Sequence, residues 1–191
     1  MSLIPAFELG LWNAWIFMIW LVVLPFFANL LIKDKNTSKN LRTSVPVKFE
    51  KALNIMSMLV VIFAFIYSFF LPINYGTIWF YIGGIFFSIG FILNISVIVS
   101  LRNVTANEFF NKGPFKFSRH PSYMSMIFIF IGVIITCLSW IFLILLLILL
   151  VHLVIVVPAE EQYCLKRYGK DYKDYMDRTP RWIGMSKSEG K

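Results

Sequence analysis

The chain has 191 residues, of which 59% are hydrophobic and 18% aromatic, with only 15% charged and a formal net charge of +8. Soluble domains carry about 45 to 50% apolar residues, so this composition excludes an ordinary soluble domain and predicts an all-α integral membrane protein. The two cysteines, Cys137 and Cys164, form no Cys-x-x-Cys pair and have no histidine near them in sequence, so neither a zinc site nor a disulfide framework is indicated.

A helix needs about 20 mostly apolar residues to cross the roughly 30 Å hydrocarbon layer. The first such run is Leu11 to Ile32. No basic residue precedes it and no clear small-residue cleavage site is present, so it reads as a span rather than a removable signal, and Pro25 predicts a kink within it. Ala52 to Leu71 is the second span and Ile78 to Leu101 the third. The third carries Gly83, Gly84, Ser88 and Gly90. Its Gly84-x-x-x-Ser88 spacing is of the kind that lets membrane helices approach closely. Asn94 and Ser96, further along, are suited to hydrogen bonds across helices.

The last apolar block runs from Tyr123 to Val157. As a single helix its length would be roughly 50 Å, too long for one crossing. The block must double back, and the small and polar residues Thr136, Cys137 and Ser139, beside Trp140, are the predicted turn. Five transmembrane helices result, the last two a tight helical hairpin. His152 falls inside the fifth span, where an ionisable group is costly. It reads either as a functional group or as an imidazole satisfied by a neighbouring helix.

All 18 Lys and Arg residues fall in three segments: six in Lys33 to Lys51, four in Arg102 to Arg119 and eight in Lys166 to Lys191. Five spans put all three on one side, which the positive-inside rule makes cytoplasmic, together with the C-terminus. Trp12, Trp79 and Trp140 then fall near the outer face, as an aromatic belt requires. Topology thus accounts for the basic charge without a nucleic-acid partner. The tail after Pro158 reads as cytoplasmic helix broken at Gly169, with Leu165, Tyr168, Tyr172, Tyr175 and Met176 on one apolar and aromatic face. Such a helix lies on the membrane surface or covers a site. The chain divides into a three-span scaffold, residues 1–101, and a catalytic region, residues 102–191.

The hairpin makes the inner ends of spans four and five neighbours. It therefore brings His120, which enters span four, close to Glu160 and Glu161, which leave span five. Simpler readings exist for most of these residues. Pro121 suits the first turn of a helix, Arg119 suits a positive-inside anchor, and Pro158 with the two acids suits a helix start. None of them accounts for His120 between Arg and Pro.

The segments "GPFKFSRHPSY" and "VPAEEQYCLKRYGKDYKDYMDRTPRW", with the apolar hairpin between them, resemble the isoprenylcysteine carboxyl methyltransferase and phospholipid methyltransferase superfamily. Its pattern is Gly-x-Tyr-x-x-x-Arg-His-Pro-x-Tyr, then a Glu-Glu pair and a Gly-x-x-Tyr-x-x-Tyr tail. The resemblance covers residues 107–182 and implies a multi-pass enzyme that uses S-adenosylmethionine and needs no metal. It implies that His120, Pro121, Ser122 and Tyr123 line the cofactor pocket, with Glu160 at the cofactor's methionine end and Phe115 standing where the family has Tyr. Arg119 and Glu161 take the catalytic positions, supported by Tyr172 and Tyr175.

Two departures qualify the match. Val156 stands where the carboxyl methyltransferases carry an Arg, which weakens a carboxylate acceptor in favour of a lipid amine, a thiol or another hydrophobic group. Tyr123-Met124-Ser125 replaces the common Tyr-x-Gly. The partners implied are a lipophilic or lipidated substrate and membrane lipids, with the protein a monomer. Two alternatives were weighed. One is an NADPH-dependent reductase of the sterol and steroid type, whose Glu after the Tyr is absent here, where Met124, Ser125 and Met126 follow. The other is a non-enzymatic membrane scaffold.

Overall fold

The computed structural model describes residues 8–31, 50–101 and 109–184. Much of the basic loop between the first two spans, and residues 102–108 of the second basic segment, lie outside the described residues. Those described form six α-helices and no strand: α1 Trp15–Leu31, α2 Glu50–Ser68, α3 Ile78–Leu101, α4 Pro121–Cys137, α5 Trp140–Tyr168 and α6 Lys170–Arg178, with a short 3-10 turn at Gly113–Lys116. Helix α1 continues through Pro25 to Leu31. Among the described residues, Ile78–Ser100 and Trp140–Tyr168 are long and apolar enough to cross a membrane. Trp15–Leu24, Ile55–Ser68 and Pro121–Cys137 are shorter apolar helices. Ile85, Ile92 and Val154 are 60%, 63% and 71% exposed, an outward apolar surface of the kind that marks contact with lipid.

The turn between α4 and α5 falls inside the predicted window. Leu138 adopts the left-handed conformation, φ 51°, and its N–H closes on the Ile134 carbonyl. Ser139 then starts α5, its side chain accepting from the Phe142 N–H at 3.4 Å, the capping role that Ser fills well. A two-residue turn leaves the helices antiparallel and adjacent. Their interior is apolar: Ile129, Phe130, Val133, Phe142, Leu146 and Leu149 join Met18, Ala64 and Leu71 in one buried cluster.

The α3–α4 seam is the tightest packing in the molecule, and the glycines responsible are not the predicted pair. A Cβ at Gly84 would meet nothing within 4 Å, and Ser88 turns its hydroxyl back onto the Gly84 carbonyl at 2.8 Å. Gly83 and Gly90 face the partner instead. A Cβ at Gly83 would lie 2.6 Å from the Gly132 carbonyl and collide with the Thr136 hydroxyl, and one at Gly90 would lie 2.8 Å from the Ser125 carbonyl. A Cβ at Gly132 would in turn lie 2.9 Å from the Gly83 carbonyl. Seven residues, two turns, separate Gly83 from Gly90, so both return to one face. Asn94 adds the expected polar link, donating to the Ser125 hydroxyl at 3.0 Å.

One end of the bundle is closed by turns. Asn13 donates to the Glu8 and Phe69 carbonyls at 2.6 and 2.7 Å, and the Ala14 N–H reaches the Leu71 carbonyl at 3.0 Å. Asn74 donates to the Thr136 carbonyl at 3.2 Å and the Tyr75 hydroxyl to the Trp12 carbonyl at 3.0 Å. Trp12, Trp79 and Trp140 therefore share this end, as the sequence predicts. Among the described residues, the opposite end gathers Arg119, Glu160, Glu161 and Arg181.

Candidate active site

Helix α5 has 29 residues, about 43 Å at 1.5 Å per residue. Its apolar part ends at Val157, so the turns from Pro158 onward project beyond an apolar layer of roughly 30 Å. Glu160 and Glu161 occupy this projection, opposite the start of α4. Pro121 is the first residue of α4, where its missing N–H costs nothing. His120 precedes it, and its own N–H is taken by the Ser118 hydroxyl at 3.1 Å. The imidazole caps nothing and is free to turn toward α5.

The geometry is compact. His120 Nε2 lies 3.3 Å from Glu161 Oε1 and Nδ1 lies 3.6 Å from Glu160 Oε2, so one imidazole faces both carboxylates across 40 residues of chain. Tyr123, one turn into α4, donates its hydroxyl to Glu160 Oε1 at 2.6 Å and stacks on the His120 ring, with centroids 5.8 Å apart. Arg119 Nε sits 3.3 Å from Glu161 Oε1. Pro121 is buried at the helix start and Ser122 is exposed beside it. Phe115 packs differently: its ring stacks on Phe110 at 5.3 Å, and its carbonyl accepts the Tyr175 hydroxyl at 2.7 Å. The structure thus brings Arg119, His120, Tyr123, Glu160 and Glu161 into one cluster, and gives Phe115 to the packing of the loop. His152, also buried, lies about two turns nearer the bundle centre, about 12 Å along α5 from Glu160.

The amphipathic tail covers the site loop. Gly169, at φ 59°, ends α5, and α6 buries Tyr172 and Tyr175. Phe109 packs among Tyr168, Tyr172 and Tyr175 with ring centroids 5.3 to 5.5 Å away. Beyond α6 the chain returns to the histidine. The Arg119 N–H donates to the Pro180 carbonyl at 3.0 Å, and the Ser118 hydroxyl to the Arg181 carbonyl at 3.2 Å. Arg181 then places its guanidinium on Glu161, with Nη2 to Oε2 at 2.6 Å and Nε to Oε2 at 3.1 Å. Sequence reading missed Arg181. The only signal was its place in the quoted tail, since no local periodicity links it to a carboxylate twenty residues earlier.

The two carboxylates differ in charge behaviour. Burial alone would push Glu161 up, but hydrogen bonds from His120 and Arg181 and the charges of Arg119 and Arg181 hold it down at about 2. For Glu160 burial wins: its carboxyl is raised above the ordinary 4.5, despite the Tyr123 hydrogen bond and His120. Neighbouring Glu161 adds repulsion. Glu161 is thus a saturated anion at 2% exposure, whereas Glu160 has a side chain 34% exposed and an Oε2 with room for a stronger partner.

The donor set has the chemistry that the zwitterionic methionine end of S-adenosylmethionine calls for. Arg119 Nε is buried and makes no hydrogen bond to any described group, although it is within ion-pair range of Glu161. A buried donor without an acceptor costs about 1 to 3 kcal/mol. An unspent cationic donor and an under-satisfied carboxylate side by side are what a carboxylate and an ammonium on one carbon require. The residues fit such a group.

No match is found among curated proteins. The phospholipid methyltransferase family model matches residues 78–171, from the first turn of α3 to the first turn of α6. The match adds α3 to the region of resemblance and stops short of the Pro180 to Trp182 segment. Together with the shared Arg-His-Pro and Glu-Glu elements, now adjacent in space, it shows that this half of the chain is similar to the phospholipid methyltransferases.

Proposed function

We propose that the protein is an S-adenosylmethionine-dependent methyltransferase whose acceptor is a lipophilic molecule dissolved in the membrane. The observation that carries this reading is the pairing of His120 and Tyr123 with a raised, partly exposed Glu160 carboxylate, beside a buried arginine donor. When bound, the cofactor supplies an electrophilic methyl group on a sulfonium. Glu160 pairs with the cofactor's ammonium and Arg119 with its carboxylate, while His120, Pro121, Ser122 and Tyr123 form the wall. The faces of Tyr123 and Trp182 favour a nearby cation. Glu161 acts through Arg119 and His120, which it holds in place.

Methyl transfer needs alignment of the reacting atoms and exclusion of water more than it needs acid or base groups. The Tyr172 and Tyr175 cover over the loop helps to shield the site. The five long helices are read as five crossings, with residues 102–191 carrying the chemistry on a scaffold of residues 1–101. The lysine and arginine bias then places site and C-terminus at the cytoplasmic face. Val156 is apolar where a substrate carboxylate would need a cation, so a lipid amine or thiol is the better acceptor.

Calorimetry on the purified protein tests the reading. S-adenosylmethionine should bind, and His120→Ala or Glu160→Ala should weaken it about tenfold or more without lowering the unfolding temperature to match. Tight binding of NADPH with none of S-adenosylmethionine would replace this reading with the reductase. Comparison of acceptors sharpens it further: rapid methylation of a prenylcysteine, ahead of lipid amines and thiols, would remove the argument from Val156.

A further inference from the structure

Glu161 is heavily paired. It is 2% exposed, and a carboxylate removed from water is tolerated only when its oxygens are satisfied. Three side chains reach it, and they do so unequally. Arg119 approaches Oε1 at 3.3 Å without hydrogen-bond geometry, and His120 Nε2 approaches the same oxygen at 3.3 Å. Arg181 supplies the short contact to Oε2 at 2.6 Å and a second arm to both oxygens at 3.1 and 3.2 Å.

The arginine is delivered by a strap with its own attachments. Thr179 is buried, the Pro180 and Arg181 carbonyls accept from the Arg119 N–H and the Ser118 hydroxyl, and the Trp182 ring lies 6.1 Å from that of His120. Residue 181 lies past the end of the family-model match at residue 171, within the quoted tail.

We infer that Arg181 is a positioning residue for the site: by fixing the Glu161 carboxylate, with its shortest contact on the oxygen that the imidazole does not face, it sets the orientation of His120. The inference rests on the cofactor reading only for its effect on binding. The physical step is independent of any ligand. An ionised carboxylate is acceptor-only, so the ring nitrogen facing it carries the proton, and the other nitrogen is presented to Glu160. If Arg181 is removed, Glu161 must draw on Arg119 and His120 for what it has lost. The ring then samples more than one arrangement. Lys can restore the charge but not the fork of donors.

The chain has two histidines, which makes the test direct. With isotope-labelled histidine, the full-length protein in detergent should show one sharp set of ring nitrogen signals each for His120 and His152, assigned by His152→Gln. In Arg181→Gln the His120 signals should split or broaden while those of His152 stay put, which certifies the fold, and Arg181→Lys should recover part of the change. Binding of S-adenosylmethionine should weaken about tenfold in Arg181→Gln. The same substitution should add little in a Glu161→Gln background, the non-additivity expected of groups acting through one another.

An unchanged His120 spectrum in Arg181→Gln overturns the inference. If both histidines are disturbed, Arg181→Lys decides: no recovery of the His120 signals also overturns it. Failure of the wild-type protein to bind the cofactor, with the His120 response intact, would refute the proposed function and leave the positioning role standing.

Discussion

At the turn end of the bundle, chain segments are laced by neutral groups: Asn13 to two carbonyls, Asn74 to the Thr136 carbonyl, and the Ala14 N–H to Leu71. At the site end the lacing is ionic, with Arg119, His120 and Arg181 converging on Glu161 and with Glu160 alongside. Neutral bonds hold over a wide range of pH and salt. A buried ion cluster holds strongly only while every member is present and correctly charged. The molecule concentrates its conditional interactions at the proposed site and keeps its unconditional ones at the turn end.

The comparison can be broken most severely at Glu161. Replacement by Ala strands two guanidiniums, one of them in a side chain only 9% exposed, and should cost about 3 to 5 kcal/mol in denaturant unfolding. A loss below about 1 kcal/mol would mean that the cluster is not the fastening it resembles. Next in size is the seam joining the two ends. Gly83→Ala drives a Cβ against the Gly132 backbone and should cost about 1 to 3 kcal/mol. Gly84→Ala, with open space around it, should be neutral or stabilising by up to about 1 kcal/mol. Equal effects at the two positions would contradict the seam.

Asn13→Ala should cost about 1 to 2 kcal/mol and leave cofactor affinity unchanged. A parallel loss of affinity would show that the ends are coupled. The smallest effect is with acid. Glu161 binds its proton less readily folded than unfolded, so its contribution is complete above 4.5 and drains away as pH falls toward 2. Glu160 has the opposite sign: its cost appears as pH rises from 4.5 through its raised value and is relieved in mild acid. Amide exchange at Arg119 and His120, corrected for intrinsic rate, should therefore slow slightly as pH approaches 4.5 from above and quicken below it. Exchange at Ala14 should show no such turn.

Much of this was legible beforehand, for reasons that can be named. The hairpin was, because an apolar block too long for one crossing has to reverse, and Thr136 to Ser139 were the polar interruption near its middle. Once the reversal is granted, the meeting of His120 with Glu160 and Glu161 follows from counting back along two antiparallel helices. The seam was half legible. Small residues announced close packing in α3, but spacing alone does not say which face the partner takes, and Gly83 with Gly90, not Gly84 with Ser88, proved to face α4. The lacing by Asn13 and the clasp by Arg181 left no pattern to read. Both join residues far apart in sequence through irregular chain, where no periodicity operates.

The two-residue turn at Leu138 and Ser139 has a consequence for life in membranes of unequal thickness. Helices adapt to a thinner or thicker bilayer by tilting, and separately hinged helices would slide past each other as they did so. In the proposed five-crossing arrangement, α4 and α5, pinned at one end by a left-handed residue and a serine cap, would tilt as one paired unit. The 3.3 Å gap between His120 and Glu161, at the far end of that pair, should therefore survive transfer from one lipid composition to another.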